Sequence, residues 1–240
     1  MNPHAPWLVL LRHGHSDWNL GDRFTGWTDI PLAGVALDEA AAAGHRLRQA
    51  GFAFDEVHGS ILQRSRQTAD ALLAAMGVPD IPYYASWRLN ERHYGALQGM
   101  KKREIFATWG EDASRRWWRG YVEPPPPLDW NDPRHPRFDP LYLGLDPHAL
   151  PASESLRDCQ QRMLPYWNAV LLPRLRAGRR MLVISHGNTL RGLVMHLDSL
   201  APAAMERIEI ASGVPLVYRF DADGRVLGHE WLEAAVATAG

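Results

Sequence analysis

The chain has 240 residues, 46% of them hydrophobic, a length and composition that suit one large α/β unit or two small ones. Lysine plus arginine (26) nearly balances aspartate plus glutamate (27), so no global field draws the protein to nucleic acid or an anionic membrane, and any affinity for anions has to be local. A single cysteine, Cys159, rules out an internal disulfide, offers no zinc-ligand spacing, and reads as an ordinary helix residue.

The opening Met1–Pro6 lacks the basic start and apolar length of a secretory signal, and no stretch approaches the roughly 20 apolar residues that span a bilayer, so a cytoplasmic location is expected. The first strand is predicted over Leu8–Leu11. It runs into Arg12-His13-Gly14-His15-Ser16, which sets an imidazole beside a guanidinium at a strand's end, where open α/β sheets keep their chemistry. Gly34–Ala50 is alanine-rich, with Leu37, Ala40, Ala41, Gly44 and Leu47 at helical spacing and Gly51 at the stop. A strand over Glu56–Gly59 leads to a helix over Ser60–Met76 that Ser60 would cap. Leu62, Arg66, Ala69 and Leu73 share a stripe of it, and Arg64 sits in the first turn, where helix amides favour anions. Ile81–Tyr84 is the third strand candidate.

Residues 87–151 interrupt the rhythm. A loop is followed by the helical Lys101–Arg119 and then by Glu123-Pro124-Pro125-Pro126-Pro127 and a proline-studded stretch to Pro151. A disordered linker is one reading. An excursion packed over the site is the preferred one, because Trp130, Phe138, Tyr142 and Leu143 supply anchors that disordered segments lack. Strands at Met181–Ser185, Leu216–Phe220 and Val226–Trp231 complete the chain. The alternation predicts a three-layer α/β/α fold around a mostly parallel sheet, without internal repeats.

The strand Met181–Ser185 delivers His186-Gly187-Asn188 to the edge that carries His13. Two histidines and an arginine converging there point to phosphoryl transfer. A nucleophilic imidazole must be unprotonated, and its reference pKa of about 6.5 is close to the boundary. Arg12 and Arg64 would disfavour its protonation and also bind the phosphoryl group with planar forks. One such contact at 4 Å is worth about 4 kcal/mol at an effective dielectric near 20. No cluster of histidine, cysteine and carboxylate predicts a metal.

Asn19, Thr25-Gly26-Trp27, Arg64, the segment Trp87–Gly99, Glu154-Ser155-Leu156 and Gly213-Val214-Pro215-Leu216-Val217-Tyr218 follow in one order. From Leu8 to about Leu232 the chain thereby resembles the cofactor-dependent phosphoglycerate mutases of the histidine phosphatase superfamily. The resemblance implies that His13 is the phosphorylated residue, that Arg12, Arg64 and His186 clamp the phosphoryl group, and that Asn19, Gly187 and Asn188 line the same pocket. It implies Glu91 as proton donor and acceptor. Ser16, Thr25, Gly26, Arg92, Tyr94, Lys102 and Arg119 would contact the substrate's distal phosphate and carboxylate.

The reaction implied is interconversion of 3-phosphoglycerate and 2-phosphoglycerate, primed by 2,3-bisphosphoglycerate, without metal. The resemblance further implies one domain over residues 1–240 with a cap at 87–151, small-molecule phosphoglycerates as the only partners, and neither nucleic acid nor membrane; a homo-oligomer is compatible with it. A mobile tail, Glu233–Gly240, would help the cap to exclude water. His45, His58, His93, His135, His148, His196 and His229 are expected at the surface or in structural roles.

Two positions depart from the family pattern. Trp118, in Trp117-Trp118-Arg119, stands where the first of two adjacent arginines is usual, and Arg115, one turn earlier, is a candidate replacement. His15 stands where an acidic residue is usual. Both bear on substrate handling more than on the phosphohistidine step. A phosphatase of the same superfamily, which lets water take the phosphoryl group, is the alternative. A silent domain that binds phosphorylated ligands is a third reading, which the set of Arg12, His13, Arg64, Glu91 and His186 disfavours.

Overall fold

The computed structural model describes residues 6–233; of the expected tail, everything after Glu233 lies outside the described residues. In chain order the elements are β1 (Trp7–Arg12), a one-turn α1 (Asp17–Leu20), α2 (Gly34–Gln49), β2 (Glu56–Gly59), α3 (Gln63–Met76) and β3 (Tyr83–Ala85). The excursion then supplies α4 (Lys102–Trp109) and α5 (Glu111–Arg119). After it come α6 (Leu156–Tyr166), a π turn (Trp167–Leu171), α7 (Leu172–Arg176), β4 (Met181–Ser185), α8 (Gly187–Leu197), β5 (Leu216–Phe220) and β6 (Val226–Trp231).

The six strands form one sheet in the order β3-β2-β4-β1-β5-β6. The first four run parallel, while β5 is antiparallel to β1 and β6 to β5, so the sheet is mixed with a parallel majority. Period-two alternation sorts the apolar side chains of β1 and β4 between two cores. Leu8, Leu10, Met181 and Val183 face Met163, Trp167, Leu171 and Leu190 from α6, the π turn and α8. Val9, Leu11, Leu182 and Ile184 face Ala43, Leu47, Ala69 and Leu72 from α2 and α3. Helices thus cover both faces, as the alternation predicts.

The structure corrects several local expectations. Leu37 is exposed and the buried stripe of α2 is Ala36, Ala40, Ala43, Gly44 and Leu47, because short side chains let α2 lie close against α3. The α3 helix starts at Gln63 behind Leu62, not at Ser60, whose hydroxyl accepts from the Leu62 amide and turns toward His186. Arg66 is exposed and paired with Asp70. The third strand is shifted to Tyr83–Ala85. The helix expected over Lys101–Arg119 is two helices, broken at Gly110, which has a φ of +79°.

Residues 87–151 pack on the loop after β1. Phe24 joins Tyr94, Leu97 and Ile105 in one small core, and Trp27 joins Tyr142 and Leu150 in another. Of the four expected anchors only Tyr142 is buried, its ring stacked 4.9 Å from Trp27; Trp130, Phe138 and Leu143 are exposed.

The approach of α2 to α3 is limited by one backbone contact: a Cβ added at Gly44 would lie 2.4 Å from the Leu72 carbonyl oxygen. Alanine ordinarily stabilises a helix interior over glycine by about 1 kcal/mol. At Gly44 overpacking should win, and Gly44→Ala should destabilise the protein by about 1–3 kcal/mol in urea unfolding; a stabilised variant would contradict this packing.

Candidate active site

Strands β1 and β4 lie side by side with Arg12 opposite Ser185, so the residues that follow them, His13 and His186, emerge at the same carboxyl edge. The His13 amide donates to the Ser185 carbonyl at 3.1 Å, and the two imidazole rings meet edge to face with centroids 4.7 Å apart.

Two contacts fix the tautomer of His13. Its Nδ1 lies 2.5 Å from the Gly14 carbonyl oxygen, which can only accept, so Nδ1 carries the proton. Its Nε2 accepts from Arg64 Nε at 3.3 Å, which leaves the lone pair on that nitrogen. Burial and then the Arg64 and Arg12 guanidiniums hold the ring well below the ordinary imidazole pKa. The Gly14 hydrogen bond works in the other direction and is outweighed.

Arg64 is almost fully buried on the first turn of α3. Its fork is occupied by carbonyls, Nη1 donating to Thr28 and Nη2 to Gly26. Burial draws its pKa down to about 10, which leaves it charged at neutral pH. Gly26 is held at a φ of +55°, and a Cβ there would lie 2.1 Å from Gln98 Oε1, itself the acceptor for the Trp27 amide. Only glycine lets this loop present its carbonyl to Arg64.

His186 is fully buried, with Nε2 2.8 Å from Ser60 Oγ and Nδ1 without a protein partner. Burial, then Arg64 and His13, hold it well below its usual pKa, so in the resting site it is a neutral imidazole. Arg12 donates from Nη1 to the Ile210 carbonyl, and its buried Nε has no protein partner.

Glu91 reaches the pocket from the segment after β3. Its Oε1 accepts from the amides of Arg92 and Asn188, the latter at the N-terminal end of α8. The segment is pinned from behind by Arg162, which donates to the carbonyls of Trp87, Arg88, Asn90 and Glu91 while its Nε pairs with Glu154 at 2.5 Å. Removing one partner of such a buried pair would leave an uncompensated charge.

Beside them lies a cavity of about 350 Å³. Arg12, His13, Arg64, Glu91, Gly187 and Asn188 contribute to its wall, with Asn19 from α1 and Thr25 and Gly26 from the loop after it. Tyr94, Lys102, Trp118 and Arg119 come from the excursion, and His15 also lines the cavity. Three sequence-predicted residues stand behind the wall. His186 is one. Ser16 caps α1 and bonds Asn19, and Arg92 lies fully buried over the Tyr94 ring. Arg115 is exposed, paired with Glu111 and away from the cavity, so it does not replace the arginine that Trp118 displaces.

Arg23, Arg191 and the strip Ile208–Ala211 line the cavity without having been anticipated. Arg191 follows Asn188 by three residues on α8 and donates to its Oδ1, so helical spacing from Asn188 was the signal available. The other histidines take structural or surface roles: His93 is buried with Nδ1 accepting from the Gly95 amide, His58 bonds Tyr166, and His148 stacks on Trp130. Among the described residues no group of three or more His, Cys, Asp or Glu is placed to hold a metal ion, and no helix is long and apolar enough to cross a membrane.

The sequence profile of the histidine phosphatase superfamily (branch 1) matches residues 8–135 and 133–230. The chain is 49% identical over 233 residues to the 2,3-bisphosphoglycerate-dependent phosphoglycerate mutase of Nitratidesulfovibrio vulgaris, a match covering 97% of this chain and 94% of that protein. It is 44% identical over 225 residues to the protein of the same name from Nitrosococcus oceani, covering 94% of each. Among solved structures it is similar to Bacillus stearothermophilus YhfR, with a TM-score of 0.70 at 23% identity over 97% of this chain and 96% of that one. A putative alpha-ribazole-5'-P phosphatase from Escherichia coli gives a TM-score of 0.70 at 20% identity, over 96% and 97% of the two chains. These structural likenesses establish the fold alone.

The buried neutral histidines give stability a defined pH dependence. Burial takes His58 down to about 4 and His93 to about 3, and places His13 and His186 well below 6.5. Unfolded imidazoles bind protons below about 6.5 that the folded ones refuse, so stability is full above that pH and falls as pH drops toward 4. Each such histidine adds a slope of up to about 1.4 kcal/mol per pH unit. Urea midpoints should therefore fall steadily from pH 7.5 to pH 5, and equal midpoints would show that these rings are not held neutral.

Proposed function

The chain belongs to the histidine phosphatase superfamily (branch 1), and on that premise we propose that it interconverts 3-phosphoglycerate and 2-phosphoglycerate through a phosphorylated His13. Two curated 2,3-bisphosphoglycerate-dependent phosphoglycerate mutases, matched over nearly the whole chain, support this reading. The observation that carries the mechanism is His13 Nε2, unprotonated and bonded to Arg64 in an arginine-lined cavity.

Phosphorylated Nε2 gives its group to one hydroxyl of the glycerate. The P–N bond breaks, its electron pair returns to Nε2, and Glu91 takes the hydroxyl proton. The bisphosphorylated intermediate reorients, and Nε2 attacks the phosphorus of the ester on the neighbouring carbon; a P–N bond forms, the P–O ester bond breaks, and Glu91 returns the proton to the departing oxygen. Arg12 and Arg64 hold the equatorial oxygens throughout, so the charge of the transferring group meets preorganised donors. His186, behind the wall with its ring packed on His13, is close enough for a dianion on that ring to favour its protonated form.

The 2,3-bisphosphoglycerate primer, when bound, supplies the first phosphoryl group, which a resting imidazole lacks. The buried, unpartnered Arg12 Nε and His186 Nδ1 fit so anionic a ligand, with Lys102 and Arg119 available to its remaining charges. Residues 87–151 act as the cap that keeps water from the phosphohistidine, the reaction needs no metal ion, and the protein works in the cytoplasm.

A coupled assay for 2-phosphoglycerate tests the proposal. Turnover should depend strongly on added 2,3-bisphosphoglycerate and be indifferent to a chelator, and Glu91→Gln should lower kcat by about 10²–10⁴ with little change in KM. Activity lost to chelator and restored by manganese, or release of inorganic phosphate far faster than formation of 2-phosphoglycerate, would overturn it.

A further inference from the structure

Trp118 stands at the meeting point of two cations on the wall of the site and a third buried behind it. Its ring centroid is 4.8 Å from Lys102 Nζ and 4.8 Å from the Arg119 guanidinium carbon. Its backbone carbonyl accepts from Arg92 Nη2 at 2.8 Å. Lys102, Trp118 and Arg119 all line the cavity, and Arg92 is buried behind them over the Tyr94 ring.

Like charges gathered this closely repel, and something must hold them. Carboxylates do part of it: Asp22 bonds Lys102 Nζ at 2.5 Å and Glu209 meets Arg119 Nη2 at 3.4 Å. A carboxylate occupies N–H donors and cancels charge. An aromatic ring attracts a cation through its quadrupole and leaves those donors free. Such a ring lets Lys102 and Arg119 point unspent N–H groups into the cavity, which an arginine at this position, itself a cation, does not do.

We propose that Trp118 is a positioning residue whose ring gathers Lys102 and Arg119 into the subsite for the second anionic group of the substrate, the one not held at His13. It thereby takes over by ring attraction what an added guanidinium would supply by direct contact. The inference rests on the phosphoglycerate reading above, since it requires a ligand with two anionic groups.

Isothermal titration of full-length His13→Ala protein, which cannot turn over, tests it with two probes. Inorganic phosphate reports on the Arg12 and Arg64 end alone, and 3-phosphoglycerate reports on both. Adding Trp118→Leu should weaken 3-phosphoglycerate about fivefold to thirtyfold, the range that loss of one or two exposed to partly buried cation–π contacts gives, and leave phosphate affinity unchanged. Trp118→Phe, which keeps a ring, should recover most of the loss.

Affinity for 3-phosphoglycerate within twofold of the background in Trp118→Leu would overturn the proposal. So would equal weakening of both probes, no recovery by phenylalanine, or tighter 3-phosphoglycerate binding in Trp118→Arg. A His13→Ala background that binds phosphate but not 3-phosphoglycerate, with Trp118 intact, would instead defeat the phosphoglycerate reading itself.

Discussion

The bond from His13 Nδ1 to the Gly14 carbonyl is the constraint on which the site depends. It assigns the proton to the nitrogen that faces the backbone and so assigns the lone pair to the one that faces the cavity. By itself this bond favours the protonated ring, which would be useless as a nucleophile. Burial and two guanidiniums oppose it and prevail. The same cations that keep the ring neutral are those a phosphoryl dianion needs, so nucleophile activation and anion binding come from one arrangement.

That arrangement is held from outside the cavity. Arg64 is tied to carbonyls at Gly26 and Thr28, Arg12 to the carbonyl of Ile210, and the Glu91 segment to Arg162 and through it to Glu154. Arg12, Arg64 and Glu91 therefore keep their geometry because backbone carbonyls from a different part of the chain are spent on them or on their support. The parallel pairing of β1 with β4 supplies the rigid edge, and the excursion supplies Tyr94, Lys102, Trp118 and Arg119. The sheet edge thus supplies Arg12, His13 and Gly187 to the cavity, and the excursion supplies Glu91 as well.

Much of this was legible in the sequence. Unbroken apolar runs gave β1 and β4, buried on both faces, and the motifs at their ends gave His13 and His186. Glycine at position 51 marked the end of α2, and Arg64 fell in the first turn of its helix as expected. What was hidden depended on contacts distant in sequence. Ser60 looked like a helix cap because serine is a good one, but its hydroxyl is drawn to His186, 126 residues away. Leu37 was read into the stripe by helical spacing, whereas the buried face runs through Ala36, Ala40, Ala43, Gly44 and Leu47, where the α2–α3 contact selects small residues. Arg162 lies within a helix that carries Pro165, and nothing local announces that it clamps the Glu91 segment. Arg115 had the right helical spacing to replace a missing arginine, but it faces solvent and pairs with Glu111.

The central claim is that the cavity-facing nitrogen of His13 carries the phosphoryl group. Phosphorus and nitrogen NMR of 15N-histidine-labelled protein after reaction with 2,3-bisphosphoglycerate, kept at alkaline pH, distinguishes the two phosphohistidine isomers and the residue that bears them. The structure predicts a single phosphorylated histidine, His13, substituted at Nε2, with Nδ1 still protonated. Phosphate found on Nδ1 of His13, or on His186, would contradict the account.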